Sequence, residues 1–143
     1  MNKLLLLALL SVALFSNDIV VKKSINSVDR TIQKIKNIVT KKGLTVFTVV
    51  DHQANAKNIG MRMRQSKLII FGNPKIGTRL MQQDVLTGLD LPMKILVYQD
   101  VDKKVKVAYR NGSWLKSEHL LLSNKLVSKI NNALDKITGK ATK

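Results

Sequence analysis

The chain has no cysteine in 143 residues. That absence excludes thiol nucleophiles, iron–sulfur clusters and cysteine-ligated zinc, and it leaves burial of apolar surface to hold the fold together. Aromatic residues are scarce as well, at 4% of the chain, so there are few platforms on which unstacked bases could sit. No helix-turn-helix or zinc-finger spacing accompanies them, and nucleic acid is not an expected partner. Acidic residues are the third shortage: 9 Asp and Glu face 25 Lys and Arg, a formal charge of +16. A surplus of that size raises the potential over the whole surface and favours anionic partners. A plain solvated basic surface is the simpler reading of the same number. Two reaction signatures are also missing, the phosphate loop Gly-x4-Gly-Lys-Ser/Thr and the nucleophile elbow Gly-x-Ser-x-Gly.

What is present begins with a separate object at the N-terminus. Met1-Asn2-Lys3 carries one positive charge, Leu4 to Phe15 is a nearly continuous apolar run, and Ser16 offers a small residue before Asn17-Asp18. A basic tip, a short apolar stretch and a small residue describe a secretory signal peptide. The run falls short of the ~20 residues that a comfortable membrane span needs. The expectation is a signal peptide over residues 1–16 and one domain over residues 17–143, exported to a bacterial periplasm, with no membrane span after cleavage. An uncleaved anchor or a buried N-terminal strand is the alternative. Without a cysteine after the apolar run, a lipoprotein anchor is excluded. In that compartment anionic envelope polymers, lipid head groups or small anions are the partners that suit the charge.

Periodicity outlines the rest. Ile19 to Lys23 reads as a first strand. Ser27 caps a helix whose Val28, Ile32, Ile35 and Val39 form one stripe, and Gly43 ends it. Leu44 to Val50 reads as a strand with Val46 on one face and Phe47 on the other, and His52 to Ile59 as a short helix or loop. Met61 and Met63 alternate with Arg62 and Arg64, the period of an edge strand. Leu68 to Phe71 is apolar on both faces and reads as an interior strand. Helical spacing resumes at Ile76, Leu80 and Met81. Met93 to Tyr98 and Val105 to Tyr109 flank a hairpin turn at Asp100 to Lys103, and Trp114-Leu115 opens a brief helical piece. Ser123 caps a last helix with Leu126, Ile130, Ala133, Leu134 and Ile137 inward, and Lys140 to Lys143 reads as a fraying basic tail. The expected fold is α+β, a two-layer sandwich with helices packed on one face of a mixed sheet.

Three polar cassettes sit at the ends of these strands. The first is Asp51-His52 with Ala56 downstream. The second is Phe71-Gly72-Asn73-Pro74 with Gly77-Thr78 and Leu80-Met81. The third runs from Gly88 through Asp90-Leu91-Pro92 and Lys94 to Val97 and Asp100, and His119 stands before the last helix. In order and spacing they are similar to the bacterial family called domain of unknown function 302, over roughly Asn26 to Ile137. The resemblance implies a two-layer α/β sandwich that commonly pairs as a homodimer, and it implies no established activity.

The residues themselves offer several sites. Asn73, Lys75, Gly77 and Thr78 join a strand to a helix, where free N–H groups, a lysine and a hydroxyl can hold a phosphate, sulfate or carboxylate. The same residues also make a rigid turn: Asn73 bonding local backbone, Pro74 at the first helical position, Gly77 packing closely. Lys94 lies inside an apolar strand between Met93 and Ile95, where its ammonium needs a partner; Asp51, Asp90 or a bound anion would serve. Asp51-His52 is the pair suited to proton transfer, although neighbours on a strand point to opposite faces and Asp51 could simply cap the short helix. His52, His119, Met61, Met63, Met81 and Met93 are the ligand types of an envelope copper site, and methionine is equally an ordinary core filler. The expected function is a non-catalytic exported domain that binds a small anionic ligand through Asn73, Lys75, Gly77, Thr78 and Lys94, with no cofactor and no metal. The alternatives are a hydrolase- or isomerase-like enzyme using Asp51 and His52, and a His/Met metal binder.

Overall fold

A computed structural model of the chain describes residues 19–119 and 122–143. The expected signal peptide, residues 1–16, lies outside the described residues. The first strand, β1 (Ile19–Lys23), leads into α1 (Val28–Lys41), and β2 (Thr45–Asp51) turns at once into α2 (His52–Asn58). Next come β3 (Ser66–Gly72), α3 (Pro74–Gln83) and a 3₁₀ turn over Val85–Leu89. The hairpin β4 (Met93–Gln99) and β5 (Val105–Arg110) is followed by α4 (Gly112–Glu118) and α5 (Asn124–Ala141).

The ends of these helices are set by local chemistry. Ser27 accepts a hydrogen bond from the Arg30 N–H at the start of α1. At the other end of α1, Gly43 takes φ +71, a conformation that costs a residue with a Cβ. Ser123 caps α5 in the same way through the Leu126 N–H. The Asp100 to Lys104 turn is closed by Asp100, whose carboxylate accepts the N–H groups of Asp102 and Lys104 at 3.0 and 2.9 Å.

The five strands lie in the order β1-β5-β4-β3-β2. All four pairings are antiparallel, so the sheet is not the mixed one expected from the alternation of helices and strands. The reason is the connections. Strands β2 to β5 pair with their sequence neighbours as a meander, while β1 and β2 occupy opposite edges, so α1 carries the chain from one edge of the sheet to the other. The short helices α2 and α3 sit at strand ends and carry no crossover, which a parallel pair would need.

One face of the sheet holds the core. Ile35 and Val39 of α1, Ile69, Ile95, Val97 and Val107 of the sheet, and Leu134 and Ile137 of α5 are buried together, most of them completely. The α1 stripe read from the sequence is the one that packs. On α5 the buried residues are Val127, Leu134, Ile137, Thr138 and Ala141, so the expected Leu126, Ile130 and Ala133 are only partly buried and border a cavity. The architecture is an α+β two-layer sandwich. The opposite face is covered at one end by α4. Its middle row crosses the whole sheet as Val21, Ala108, Leu96, Leu68 and Val50, paired in register from edge to edge.

Three local expectations are overturned. Met61 to Arg64 is not a strand: β2 already forms that edge, and the Gln53 side-chain amide donates to the Met63 carbonyl at 3.1 Å instead of a neighbouring strand doing so. The C-terminal tail does not fray. Ala141 and Thr142 are buried, the Thr142 carbonyl accepts the Ile25 N–H at 3.0 Å, and Asn26 Nδ2 donates to the carbonyls of Ala141 and Lys143. Phe47 falls at a register shift in β2, which breaks the strict alternation of Val46 and Phe47 and leaves its ring at the border of a cavity.

Candidate functional site

Two cavities flank β4, one on each side of the sheet. The larger, about 530 Å³, lies between α3, α5 and the ends of β3 and β4. Asn73, Gly77 and Thr78 line it, but most of its wall is aliphatic, and among the described residues Lys129 is the one charged side chain lining it. The start of α3 is closed to an anion. Asn73 Oδ1 already accepts the N–H groups of Lys75 and Ile76 at 3.0 and 3.3 Å, and the Asn73 carbonyl accepts the Gly77 N–H at 2.9 Å. With Pro74 at the first helical position, the segment is the self-satisfied turn that its composition also allowed.

The smaller cavity, about 310 Å³, opens on the other face between β4, β5 and α4. Lys94 lines it, so β4 delivers Lys94 to the face opposite the buried Ile95. The structure thus separates Lys94 from Asn73, Gly77 and Thr78, and Lys75 lines neither cavity. Arg110 faces the same space from β5, and its guanidinium lies 4.3 Å from the centroid of the Trp114 ring, which holds it in place. The Lys94 ammonium donates to the carbonyls of Asp90 at 3.0 Å and Pro92 at 2.9 Å. Burial pushes its pKa below the ordinary value, the charge of Asp90 opposes that, and the charge of Arg110 adds to it. Neither Lys94 nor Arg110 joins a salt bridge among the described residues.

Beside this cavity stands a histidine cluster. His119, the C-cap of α4, is 7% exposed; its Nε2 lies 2.7 Å from Asp90 Oδ2 and its Nδ1 3.6 Å from Asp84 Oδ2. The hydrogen bond to Asp90 holds the imidazole pKa above its ordinary value against the opposing effect of burial, and Asp84 adds to the rise. Asp90 is thereby tied to His119, and it anchors the turn whose carbonyl receives Lys94.

The remaining candidates do not converge on either cavity. Asp51 caps α2 through the Ala54 N–H at 2.9 Å and pairs with Lys67 at 3.2 Å; Lys67 also holds Asp29 at 2.6 Å. The Ala54 N–H, followed by Lys67, keeps the Asp51 carboxyl below its usual range, while Asp29 foremost raises the Lys67 ammonium. His52 is the first residue of α2 and lines neither cavity, and Asp51 stands opposite Lys67, at the far end of β3 from Asn73. The six His and Met residues are dispersed. Met61 and Met63 are exposed, Met81 and Met93 line the larger cavity, and His119 is engaged by carboxylates.

Arg110 and Trp114 escaped the sequence reading. The parity of Lys106, Ala108 and Arg110 against Val105, Val107 and Tyr109 would have placed Arg110 on one face, but not beside Lys94.

The fold belongs to the small α+β sandwiches built on one five-stranded antiparallel sheet. A solved structure of the same kind, an uncharacterized conserved DUF302 protein from Bacillus stearothermophilus, superposes with a TM-score of 0.70 at 16% identity, covering 89% of this chain and 97% of that one. The family described as domain of unknown function DUF302 matches residues 20–137, and the chain belongs to it. Among curated proteins it is 38% identical over 109 residues to fluoride-specific ion channel FluC 1 of Brucella suis biovar 1 (strain 1330), covering 76% of this chain and 43% of that protein. A protein of Brucella melitensis biotype 1, fluoride-specific ion channel FluC 2, matches equally well, with 40% of its length covered. The chain thus spans less than half the length of the curated relatives it matches. Among the described residues no helix is long and apolar enough to cross a membrane.

Proposed function

We propose that this is an exported, non-catalytic domain that binds a small anion at the cavity between β4, β5 and α4, held by Lys94 and Arg110. One observation carries the reading: two cations share a concave site, and neither is paired with a carboxylate in a salt bridge among the described residues. Lys94 is half-buried there, where an ammonium gains most from a counter-charge. Asp90 lies in the same cavity, but its carboxylate is bonded to His119. Trp114 fixes the Arg110 guanidinium, a planar group suited to two-point contact with an oxyanion. The printed name of the Brucella relatives concerns fluoride, itself a small anion, and so adds a halide to the list of ligands worth testing.

The test is thermal unfolding with phosphate, sulfate, acetate and fluoride at constant ionic strength. A ligand that binds the folded state raises the melting temperature with concentration. The rise should vanish in Lys94→Met and shrink in Arg110→Gln. Equal rises in all three proteins would reveal a general salt effect and end the proposal.

Export and pairing belong to the same reading. The apolar run Leu4 to Phe15 supports export, and mass spectrometry of protein from the native cell should find the N-terminus near Asn17; intact Met1 would count against it. The row Val21, Ala108, Leu96, Leu68 and Val50, of which Ala108, Leu96 and Leu68 also line the anion cavity, gives a second copy an apolar surface to cover. Light scattering should then report a dimer that Leu96→Asp dissociates, and a monomer mass over a tenfold concentration range would remove that part.

A further inference from the structure

The larger cavity has a different chemistry from the anion site. Its volume of about 530 Å³ falls among small-molecule sites, which typically enclose about 300–1,000 Å³ and carry few polar groups. It exists because α3 stands away from the sheet: this ten-residue helix buries only Leu80 and packs chiefly on the 3₁₀ turn that follows it. The gap it leaves is walled by Ile130, Ala133 and Leu134 of α5 on one side and Ile76 and Met81 on the other. Phe47, Ile76 and Met81 remain 49, 39 and 37% exposed along its border, apolar surface not buried among the described residues. Lys129 brings a charge to the lining, and Thr78 a hydroxyl.

We infer that this cavity binds a single aliphatic chain ending in a carboxylate, with the chain along α5 and the carboxylate at Lys129. Charge complementarity selects the head: among the described residues the wall offers a cation and no carboxylate, so an anionic end is attracted and a cationic end repelled. The wall selects the tail, because side chains that are mainly aliphatic match a flexible hydrocarbon. Met81 and Met93, unbranched at the γ-carbon and polarisable, can follow it.

The probes are hexanoate, octanoate and decanoate, titrated calorimetrically into the domain, with decanol and decyltrimethylammonium as controls. Affinity should rise about fourfold for each added methylene. Decyltrimethylammonium should bind more weakly than decanoate. Lys129 is exposed, so Lys129→Gln leaves the fold intact; it should weaken decanoate about two- to fivefold and leave decanol unchanged. With methyl-labelled methionine, decanoate should move the NMR signal of Met81, which lines this cavity and not the anion site, and leave those of Met61 and Met63 in place. Lys94→Met should not alter these affinities, so this inference and the anion site fail separately. Affinity independent of chain length would overturn it, as would equal binding of the cationic amphiphile or equal shifts at Met61 and Met63. A dimer in which Met81 moves on dilution, without a response to decanoate, would assign the cavity to a second copy and overturn it too.

Discussion

Replacing Lys94 by methionine should cost the domain its anion and leave its stability intact or improved. The side chain stays unbranched and loses its charge with one heavy atom, so the change is chiefly electrostatic. In the folded protein the ammonium has left part of its water shell for the carbonyls of Asp90 and Pro92. Removing a half-buried charge relieves about 1–2 kcal/mol of desolvation. Losing its hydrogen bonds costs about 1 kcal/mol, because the two carbonyls border an open cavity and can bind water instead. The net is between zero and about 1 kcal/mol of added stability, which for a domain of this size raises the melting temperature by up to about 5 °C. Proton linkage supplies a second readout. The lysine pKa is lowered in the folded state by burial. From that lowered value up to the ordinary one near 10.5, the unfolded chain therefore holds a proton that the folded chain has released. Stability rises with pH across that window in the wild type, and the Lys94 contribution to the slope disappears in the variant. Urea denaturation of both proteins from pH 7 to pH 10 measures the difference. A loss of more than about 1 kcal/mol in Lys94→Met would refute the reasoning, because it would make the lysine a structural clamp on the Asp90–Pro92 turn.

Three other outcomes follow from the packing. His119→Gln should lower stability mainly in acid: the raised histidine pKa gives a contribution that is full below the unfolded value and lost as pH climbs through the folded one, so wild-type and variant denaturation midpoints should converge at high pH. Gly112→Ala should destabilise by about 1–3 kcal/mol in urea, since the added methyl would meet the Val127 carbonyl at 3.0 Å and the Ile130 Cβ at 3.1 Å on α5. Deleting Ala141 to Lys143 should cost about 1–3 kcal/mol, because the Ile25 N–H loses its acceptor and Ala141 leaves the core; an unchanged midpoint would mean that the tail is only laid against the domain.

The sequence by itself determined the elements whose signals are local. The Val28, Ile32, Ile35 and Val39 stripe, the Ser27 and Ser123 caps and the Asp100 turn appear where their spacing put them, because each is made by residues within a few positions of one another. The three cassettes likewise sufficed for the family, since order along the chain is what a family shares. Tertiary structure alone decided the rest. Lys94 and Thr78 are both polar, yet they serve different cavities because the period of two in β4 sends Ile95 to the helical face and Lys94 to the other one. Asp90 and His119 meet at 2.7 Å across 29 positions of chain, and no periodicity carries a signal over that distance. Met61 to Arg64 alternated as a strand does and still is not one, because a strand needs a neighbour and β2 had taken that edge. The sequence set which residues turn inward on each element; packing those elements against one another decided which polar groups share a pocket.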